Sequence, residues 1–431
     1  MSWPRWQIST REPRQIRKPI GQSLRKDFHM ESDFTSKRRR TRLLVASIAL
    51  ALTAQAATAV AEEHVKTLVS FTGPPDVFLP SAGLVAGPDG NFYGTSFYGG
   101  ESNLGTVYKV TPKGDETVIY SFNGGSDGAY PAAPLIVGQD GSLYGTTEYG
   151  GGGPCTFSQG NGCGTVFKIT LQGTESIVYA FEGGNDGVIP TASIIQAASG
   201  DLYGTTNGGG VNNSGTVFHI TAGGTEEVFH AFSYFVDGGA PGPLIQGNDG
   251  NFYVLEGFFL GALVRISPTG ESTTVHTFAG GPTDAAFPNG ILVQDAVGNF
   301  YGTAPYGGAS GLGAIFKVST AGVEELLYSF NGGTTDGSRA NGPVLRAANG
   351  MMYGTTLQGG ADGYGIVYEL SPEGVETVVH SFKKCVYSSV QGNGMGLVEG
   401  KHKDVYGVTN GGCVGSTSTD VYGSVIRFKA R

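Results

Sequence analysis

Six aspartates recur at one position in successive copies of a repeat, and carboxylate oxygens are the ligands that hard cations such as Ca²⁺ prefer. They are Asp76, Asp127, Asp186, Asp237, Asp284 and Asp336, and a proline follows four residues later in the first five copies. Such a ring could hold Ca²⁺ or attract a cationic partner. The alternative is structural: each aspartate hydrogen-bonds within its own turn. A residue present in nearly every copy is most simply explained by the fold, and no D-x-D-x-D loop supports calcium.

A second position varies between copies, as a ligand site would. It lies five residues after the tyrosine that anchors each copy and is occupied by Tyr98, Tyr149, Gly208, Phe258, Tyr306, Gln358 and Gly411. The aromatic rings among them could stack on sugar rings, or they could pack between loops to stiffen them. Other residues that break the symmetry nearby are Tyr130, Tyr234, Phe235, Phe287, Arg339, Lys383 and Lys384. Arg339 is the candidate for an anionic ligand, the alternative being a solvated loop charge.

No residue is predicted to be catalytic. His230, His276 and His380 stand where other copies have Tyr120, Tyr179 and Tyr328, which predicts a tyrosine-like packing role. Residues 124–128 match the Gly-x-Ser-x-Gly nucleophile elbow, but no helix follows, as that motif requires. We expect no cofactor and no bound metal, with calcium left open. Carboxylates from different copies could still meet as an acid/base pair over a central axis.

The elements that carry these residues follow from the repeat. Its anchor tyrosines are Tyr93, Tyr144, Tyr203, Tyr253, Tyr301, Tyr353 and Tyr406, a period near 50 residues. Each copy contains four short apolar runs; in the second they are PLIV (134–137), SLYGTT (142–147), GTVFKIT (164–170) and ESIVYAF (175–181). Four β-type runs per unit at this period are typical of a propeller. We therefore predict an all-β fold, a seven-bladed β-propeller of four-stranded antiparallel blades, over residues 62–431.

Ring closure and the two faces also follow from the order of the runs, named A to D. The first run, 65–71, is of D type and the last, 423–428, is of C type, so the N-terminal strand is expected to complete the last blade. The A–B and C–D connections are short turns. The B–C and D–A connections are long and glycine-rich, and they share the opposite face, which is the predicted binding surface.

The first 61 residues predict the localisation of the protein. A basic segment (37–42), an apolar run (43–52) and the sequence Ala59-Val60-Ala61 are typical of a secretory signal peptide, so we expect residues 1–61 to be a leader and the protein to be periplasmic or extracellular. No membrane span is expected after cleavage. Residues 62–431 contain 15 Lys and Arg against 32 Asp and Glu, which argues against nucleic-acid binding. We expect a monomer.

Four cysteines remain in the predicted exported part: Cys155, Cys163, Cys385 and Cys413. An even number in an oxidising compartment predicts two disulfides, for which three pairings exist. Cys155 and Cys163 bracket one long loop, whereas Cys385 and Cys413 lie in the two long connections of the seventh blade. Both pairs would then be staples on the long-loop face.

The repeat sequence resembles the GloVer tandem-repeat family of exported bacterial proteins over roughly residues 64–428. The motifs that carry the resemblance are LYGTT followed by a Gly-Gly pair, GTVFKIT, YSF, and then GGxDG and a proline. Kelch propellers are a weaker likeness. Membership implies export and a propeller-like fold, but no reaction.

The sequence therefore predicts an exported binding module that recognises a carbohydrate or another extracytoplasmic macromolecule through its long-loop face. The alternatives are a polysaccharide lyase or glycoside hydrolase acting in the central cleft, and an envelope scaffold for protein partners. Ionisable residues converging from one or two blades would favour an enzyme. A row of aromatic residues on one side of the face would favour sugar binding, and a broad apolar patch would favour a protein partner.

Overall fold

The computed structural model describes residues 65–158, 160–257, 259–383, 396–409 and 422–430. They form seven four-stranded antiparallel blades, which confirms the predicted β-propeller. In this part of the chain, no helix is long and apolar enough to cross a membrane.

The blades are numbered in chain order, and the strands of each are lettered A to D. Blade 1 contains Val85–Ala86, Phe92–Gly99, Thr106–Val110 and Glu116–Ser121. Blade 2 contains Ile136–Val137, Leu143–Thr147, Thr165–Ile169 and Glu175–Ala180. Blade 3 contains Ile195–Gln196, Leu202–Thr206, Thr216–Ile220 and Glu226–Ala231. Blade 4 contains Leu244–Gln246, Phe252–Glu256, Ala262–Ile266 and Ser272–Thr277.

The remaining blades follow the same order. Blade 5 contains Val293–Gln294, Phe300–Ala304, Ala314–Val318 and Glu324–Ser329. Blade 6 contains Leu345–Arg346, Met352–Gly359, Ile366–Leu370 and Glu376–Ser381. Blade 7 takes strands A to C from Val398–Glu399, Asp404–Thr409 and Ser424–Lys429, with a 3₁₀ turn at Lys401–Lys403. Its D strand is Lys66–Ser70 from the N-terminal end, which pairs antiparallel with Ser424–Lys429.

Strands B and C are buried almost throughout, whereas the outer D strand is partly exposed. The anchor tyrosines lie in strand B, and several donate their hydroxyl to an aspartate in the A–B turn, as Tyr93 does to Asp89 at 2.7 Å and Tyr253 to Asp249 at 2.8 Å. A buried tyrosine needs a partner for its hydroxyl. The Asp-Gly turn therefore supplies both the hairpin and that partner.

The core consists of apolar clusters between neighbouring blades. A phenylalanine directly after strand D enters the next cluster: Phe122 lies 5.1 Å, ring to ring, from Phe167 of blade 2, and Phe181 lies 5.2 Å from Phe218 of blade 3. Both pairs are fully buried. Removing such a ring typically costs about 3–5 kcal/mol, because the cavity left behind does not close. Each blade is thus held by its neighbours.

The long connections are joined to each other on one face by short β-pairings. Val77–Pro80 and Gly337–Ala340 pair with the ends of the B strands of blades 1 and 6. Gly128–Ala129 pairs with Tyr149–Gly150, and Ala285–Ala286 pairs with Tyr306–Gly307.

This packing of loop on loop requires glycine after strand B. Gly150 has φ of +89°, and a Cβ there would lie 2.1 Å from the carbonyl oxygen of Asp127. The Gly-Gly pair of the repeat therefore permits the two loops to touch.

Candidate binding face

The six aspartates lie in the D–A connections, and each carboxylate accepts main-chain hydrogen bonds from its own loop. Asp127 accepts the N–H groups of Asn123 at 2.9 Å and Gly128 at 2.7 Å. The corresponding bond from a residue four or five positions earlier is made to Asp76, Asp186, Asp237, Asp284 and Asp336. These bonds close the loop, so the carboxylates have a structural task.

The outer strands supply further partners to these aspartates. The hydroxyls of Tyr120, Tyr179 and Tyr328 donate to Asp127, Asp186 and Asp336 at 3.0–3.1 Å. His230 takes the place of the tyrosine and bonds Asp237 at 2.7 Å. The tyrosine-like position predicted for this histidine is thus confirmed, but its role includes a polar contact as well as packing.

A glutamate that begins the next D strand lies beside the aspartate at most of these blade interfaces. Burial, with the negative charge of Asp76, raises the pKa of Glu116 to about 8. Burial and Asp336 do the same to Glu376, whose pKa is also about 8. Burial and the neighbouring carboxylate both disfavour the charged form, so these glutamates take up a proton more readily than exposed glutamates do. The glutamates beside the aspartates therefore add less negative charge than their number suggests.

Three residues after each aspartate, the backbone turns left-handed in all six loops, with φ between +50° and +58°. The residues are Leu79, Tyr130, Ile189, Ala240, Phe287 and Arg339. The N–H of each donates to a carbonyl in the preceding B–C loop, as Tyr130 does to Leu104 at 2.7 Å. This conformation favours glycine, yet none of the six is glycine in a chain with 73 of them. The main-chain hydrogen bond at each position holds the backbone in this uncommon conformation whichever side chain is present.

An aromatic row crosses the loops of blades 7, 1 and 2. It consists of Tyr422, Phe78, Phe97, Tyr98, Tyr130, Tyr149 and Phe157, with centroids 5.0–5.8 Å apart between neighbours. Tyr149 is 7% exposed and the others are half-buried. Tyr98 thus lies in a partly open row, whereas Tyr149 is packed beneath its neighbours and offers no free ring face.

The other predicted aromatic residues lie apart from this row. Tyr306 is 40% exposed and contacts Phe287 at 5.7 Å, and the guanidinium of Arg339 lies 5.4 Å above the Tyr306 ring. Arg339 is therefore partly engaged in a cation–π contact. Phe258 lies outside the described residues.

A larger exposed group is carried by the loops around blades 3 and 4. Its members are Val211 (70% exposed), Tyr234 (52%), Phe235 (87%), Val236 (79%) and Phe259 (75%). We call it the apolar group. Two of the loops that carry the apolar group, the D–A loop entering blade 4 and the B–C loop of blade 4, contact each other. The N–H of Gly257 donates to the carbonyl of Gly239 there.

A central cavity of about 690 Å³ is lined by the segments that enter the A strands of all seven blades. Glu148 and Arg346 are the ionisable residues in its described lining, and Asn289 and Asn341 add carboxamides. Glu148 directly precedes Tyr149, and its N–H donates to the carbonyl of Tyr130 at 3.1 Å. Burial raises its pKa to about 7. The aromatic row and the cavity therefore share one edge at Glu148.

Glu148 was missed by the sequence reasoning, although a signal for it exists. Four residues after the anchor tyrosine, the other described copies have Phe97, Asn207, Gly257, Pro305 and Leu357, so Glu148 breaks the symmetry too. Burial raises the pKa of the Tyr149 hydroxyl, and the nearby Glu148, Tyr130 and Tyr98 raise it further.

One disulfide lies on the same face. Cys155 and Cys163 are bonded, with Cα atoms 5.1 Å apart, within the B–C loop of blade 2 that also carries Phe157. Its sulfurs pack against Gly183 of the following D–A loop. Cys385 and Cys413 lie outside the described residues.

Solved structures with a similar fold are distant in sequence. The extracellular domain of a protein described as a hybrid two component system from B. thetaiotaomicron aligns with a TM-score of 0.51 at 11% identity, covering 84% of this chain and 39% of that chain. Another structure of that extracellular domain, there named a one component system, gives 0.49 at 10% identity, covering 84% and 40%. This chain therefore spans about 40% of the length of either. A gluconolactonase from Xanthomonas campestris gives 0.42 at 10% identity, covering 85% and 89%.

At such identities these likenesses concern the fold alone. No curated protein sequence matches this chain. The profile of the Gloeobacter/Verrucomicrobia repeat, in contrast, matches residues 57–258 and 256–420, which is most of the sequence. The chain belongs to the Gloeobacter/Verrucomicrobia repeat family.

Proposed function

We propose that this protein is exported and binds a neutral glycan chain along the aromatic row, with one sugar unit at the mouth of the central cavity beside Glu148. The observation that carries the proposal is the row itself: seven aromatic rings in continuous contact across the loops of three blades. Aromatic faces match the apolar C–H surfaces of sugar rings. A row of this extent suits several linked sugars better than a single one.

The polar groups beside the row suit sugar hydroxyls. Glu148, Asn289 and Asn341 line the cavity, and carboxyl and carboxamide groups both donate and accept hydrogen bonds when the carboxyl is protonated. With its pKa raised to about 7, Glu148 is neutral in a large fraction of molecules near pH 7. The excess of acidic residues over residues 62–431 disfavours an anionic polysaccharide. Neutral glycans are therefore the best match.

Export is supported by two observations. The leader has the order of a secretory signal, and the Cys155–Cys163 disulfide is of a kind that forms and persists in oxidising compartments. The chemistry of the cavity supports binding more than hydrolysis, because Glu148 is the single carboxyl group in its described lining and glycoside hydrolases use a pair. Release of reducing ends from a bound polysaccharide would reverse this preference.

The test is binding of purified protein to a panel of neutral and anionic polysaccharides, measured by affinity electrophoresis and calorimetry. Tyr98→Ala and Tyr130→Ala should each weaken binding of one neutral glycan. Tyr306→Ala is the matched control, since it removes a tyrosine of the same face that lies outside the row. Circular dichroism checks that each variant folds. The proposal fails if no neutral glycan binds, or if Tyr306→Ala weakens binding as much as Tyr98→Ala.

A protein partner is the second candidate, and the apolar group of blades 3 and 4 favours it. Exposed aromatic and aliphatic side chains concentrated on neighbouring loops are typical of protein contacts. Phe235→Ser should leave glycan binding intact under the first proposal. If the protein instead captures an envelope protein and Phe235→Ser abolishes the capture, while no glycan binds, the second candidate replaces the first.

A further inference from the structure

The outer edges of neighbouring blades share a recurring three-residue polar cluster. One residue comes from strand D, the second is the aspartate of the D–A loop, and the third begins strand D of the next blade. Between blades 1 and 2 these are Tyr120, Asp127 and Glu175. At the interface of blades 4 and 5 the cluster is His276, Asp284 and Glu324, whose facing atoms all lie within 4.8 Å of one another.

The His276 ring has its two nitrogens in different environments. Nδ1 lies 3.1 Å from the carbonyl oxygen of Gly322, which can only accept, so Nδ1 carries hydrogen. Nε2 faces Oδ1 of Asp284 at 3.7 Å and Oε2 of Glu324 at 3.6 Å. Nε2 and Oδ1 are both buried and without a hydrogen-bond partner. Without a cation between them, a neutral ring would point a lone pair at two carboxyl groups.

The interface of blades 3 and 4 provides an internal comparison. His230 makes the same Nδ1 contact, at 2.8 Å to the carbonyl of Gly270, but its Nε2 bonds Asp237 directly at 2.7 Å. Ser272 replaces the glutamate there and donates its hydroxyl to Asp237 at 2.7 Å. That cluster is closed by its own hydrogen bonds, whereas the His276 cluster leaves a gap between its three side chains.

We propose that His276, Asp284 and Glu324 bind a Zn²⁺ ion that joins blade 4, the connecting loop and blade 5. Imidazole nitrogen with two carboxylate oxygens is a donor set that zinc accepts. A metal-binding histidine usually donates its other N–H to a carbonyl, as Nδ1 of His276 does to Gly322.

Two of the three separations between donor atoms are close to those of this ion, and the third lies within 4.8 Å. Tetrahedral zinc with bonds of about 2.0–2.2 Å holds its ligand atoms about 3.3–3.6 Å apart. The two Nε2–oxygen distances of 3.6 and 3.7 Å need only a small contraction. Three protein ligands leave the fourth position for water. The side chains of His276 and Asp284 are each 16% exposed, so the cluster lies just beneath the surface.

A proton is the competing occupant, because the Glu324 carboxylate raises the pKa of His276 against the opposite effect of burial. The two occupants differ in what they require. A proton on Nε2 needs one close carboxylate oxygen, and the His230 cluster has such an oxygen 2.7 Å from its Nε2. A metal ion, in contrast, occupies a space between the ring and both carboxylates. The test therefore measures the metal itself.

The experiment titrates untagged, chelator-treated protein with ZnCl₂ by calorimetry, with CaCl₂ in parallel, and follows thermal unfolding. We expect one Zn²⁺ to bind per chain through this site and to raise the unfolding temperature. His276→Tyr and Glu324→Ser should each lower zinc affinity at least tenfold. Each substitution introduces a residue type that another blade has at the equivalent position: Tyr328 corresponds to His276, and Ser272 corresponds to Glu324. The fold therefore accommodates both residue types.

His230→Tyr is the matched control and should leave zinc affinity unchanged. The proposal is overturned if zinc does not bind, if His276→Tyr and Glu324→Ser bind it as the wild type does, or if His230→Tyr abolishes it. Preferential binding of calcium would also contradict it. If His276→Tyr does not fold, Glu324→Ser decides the question.

Discussion

The two sides of the loop face are built on the same backbone but filled differently. In blades 7, 1 and 2 the loop side chains pack into the aromatic row, and a disulfide fixes the loop at its end. In blades 3 and 4 the corresponding loops expose Phe235 and Phe259 to solvent. The left-handed residue and its hydrogen bond recur on both sides. The repeat thus sets where the loops lie, and a few varying residues set which side chains each side presents.

The largest expected effect is on the disulfide at the end of the aromatic row. Replacing Cys155 and Cys163 by serine opens a loop whose cysteines are eight positions apart, and the chain-entropy estimate is about 2–3 kcal/mol of lost unfolding free energy. Urea denaturation of oxidised and variant protein measures it. Because Phe157 lies in that loop, glycan binding should weaken too. An unchanged denaturation midpoint would show that the loop is held without the bond.

The next effect separates the two sides by ligand binding. Tyr130 contacts Phe97, Tyr98 and Tyr149, so Tyr130→Ala interrupts the row at its centre. We expect about a tenfold loss of glycan affinity, equivalent to about 1.4 kcal/mol. Phe287→Ala changes the same left-handed position of the loop that enters blade 5 and serves as the control. Equal losses in both variants would remove the distinction between the two sides.

A smaller effect depends on pH and concerns Glu148 at the edge of the row. Its pKa in the folded protein is about 7, above its ordinary 4.5, because of burial. The protonated carboxyl group contributes to the free energy of unfolding. This contribution is fully present below about pH 4.5 and is lost as the pH rises through 7. Glu148→Gln should therefore match the wild type at pH 5 and exceed it by about 1 kcal/mol at pH 8.5, after allowance for solvent screening.

Thermal or urea unfolding at the two pH values measures this difference. The five glutamates at blade interfaces with raised pKa values remain in both proteins and cancel from the comparison; they are Glu116, Glu175, Glu226, Glu324 and Glu376. A gap between variant and wild type that does not change with pH would contradict the assignment to Glu148.

The smallest effect is expected on the other side of the face. Phe235 is 87% exposed, so Phe235→Ser should change the unfolding free energy by no more than about 0.5 kcal/mol. Urea denaturation checks it. A loss above about 1 kcal/mol would mean that this side is packed as the aromatic row is.

Much of the architecture could be predicted from sequence because it repeats. The blade number, the four strands and the face that carries the long loops follow from period, strand-type runs and turn residues, which are local. The aromatic row could be predicted only in part: the symmetry-breaking positions gave Tyr98, Tyr130 and Tyr149. Phe78, however, enters from the loop that joins blades 7 and 1, and Tyr422 enters from blade 7. Such contacts depend on how adjacent loops meet, and no spacing along the chain measures that.

The His276 cluster illustrates the same limit. The strand register showed that His276 stands where other copies have tyrosine, which predicted a packing role. That prediction did not include a contact with Glu324, because Glu324 belongs to the next blade. A signal was present, since glutamate begins strand D in Glu116, Glu175, Glu226, Glu324 and Glu376 while Ser272 departs from it. What the sequence lacked was the twist of each blade, which brings the start of one outer strand against the end of the preceding one.

The six left-handed residues are positions at which this chain tolerates very different side chains. Each is fixed by a main-chain hydrogen bond that does not depend on its side chain, and leucine, tyrosine, isoleucine, alanine, phenylalanine and arginine all occur there. Single codon changes at these sites can therefore alter the chemistry of the face while the blades stay intact. A library randomised at these six codons should keep the fold of its members and vary the side chains that the face presents, as hypervariable loops do on a constant antibody framework.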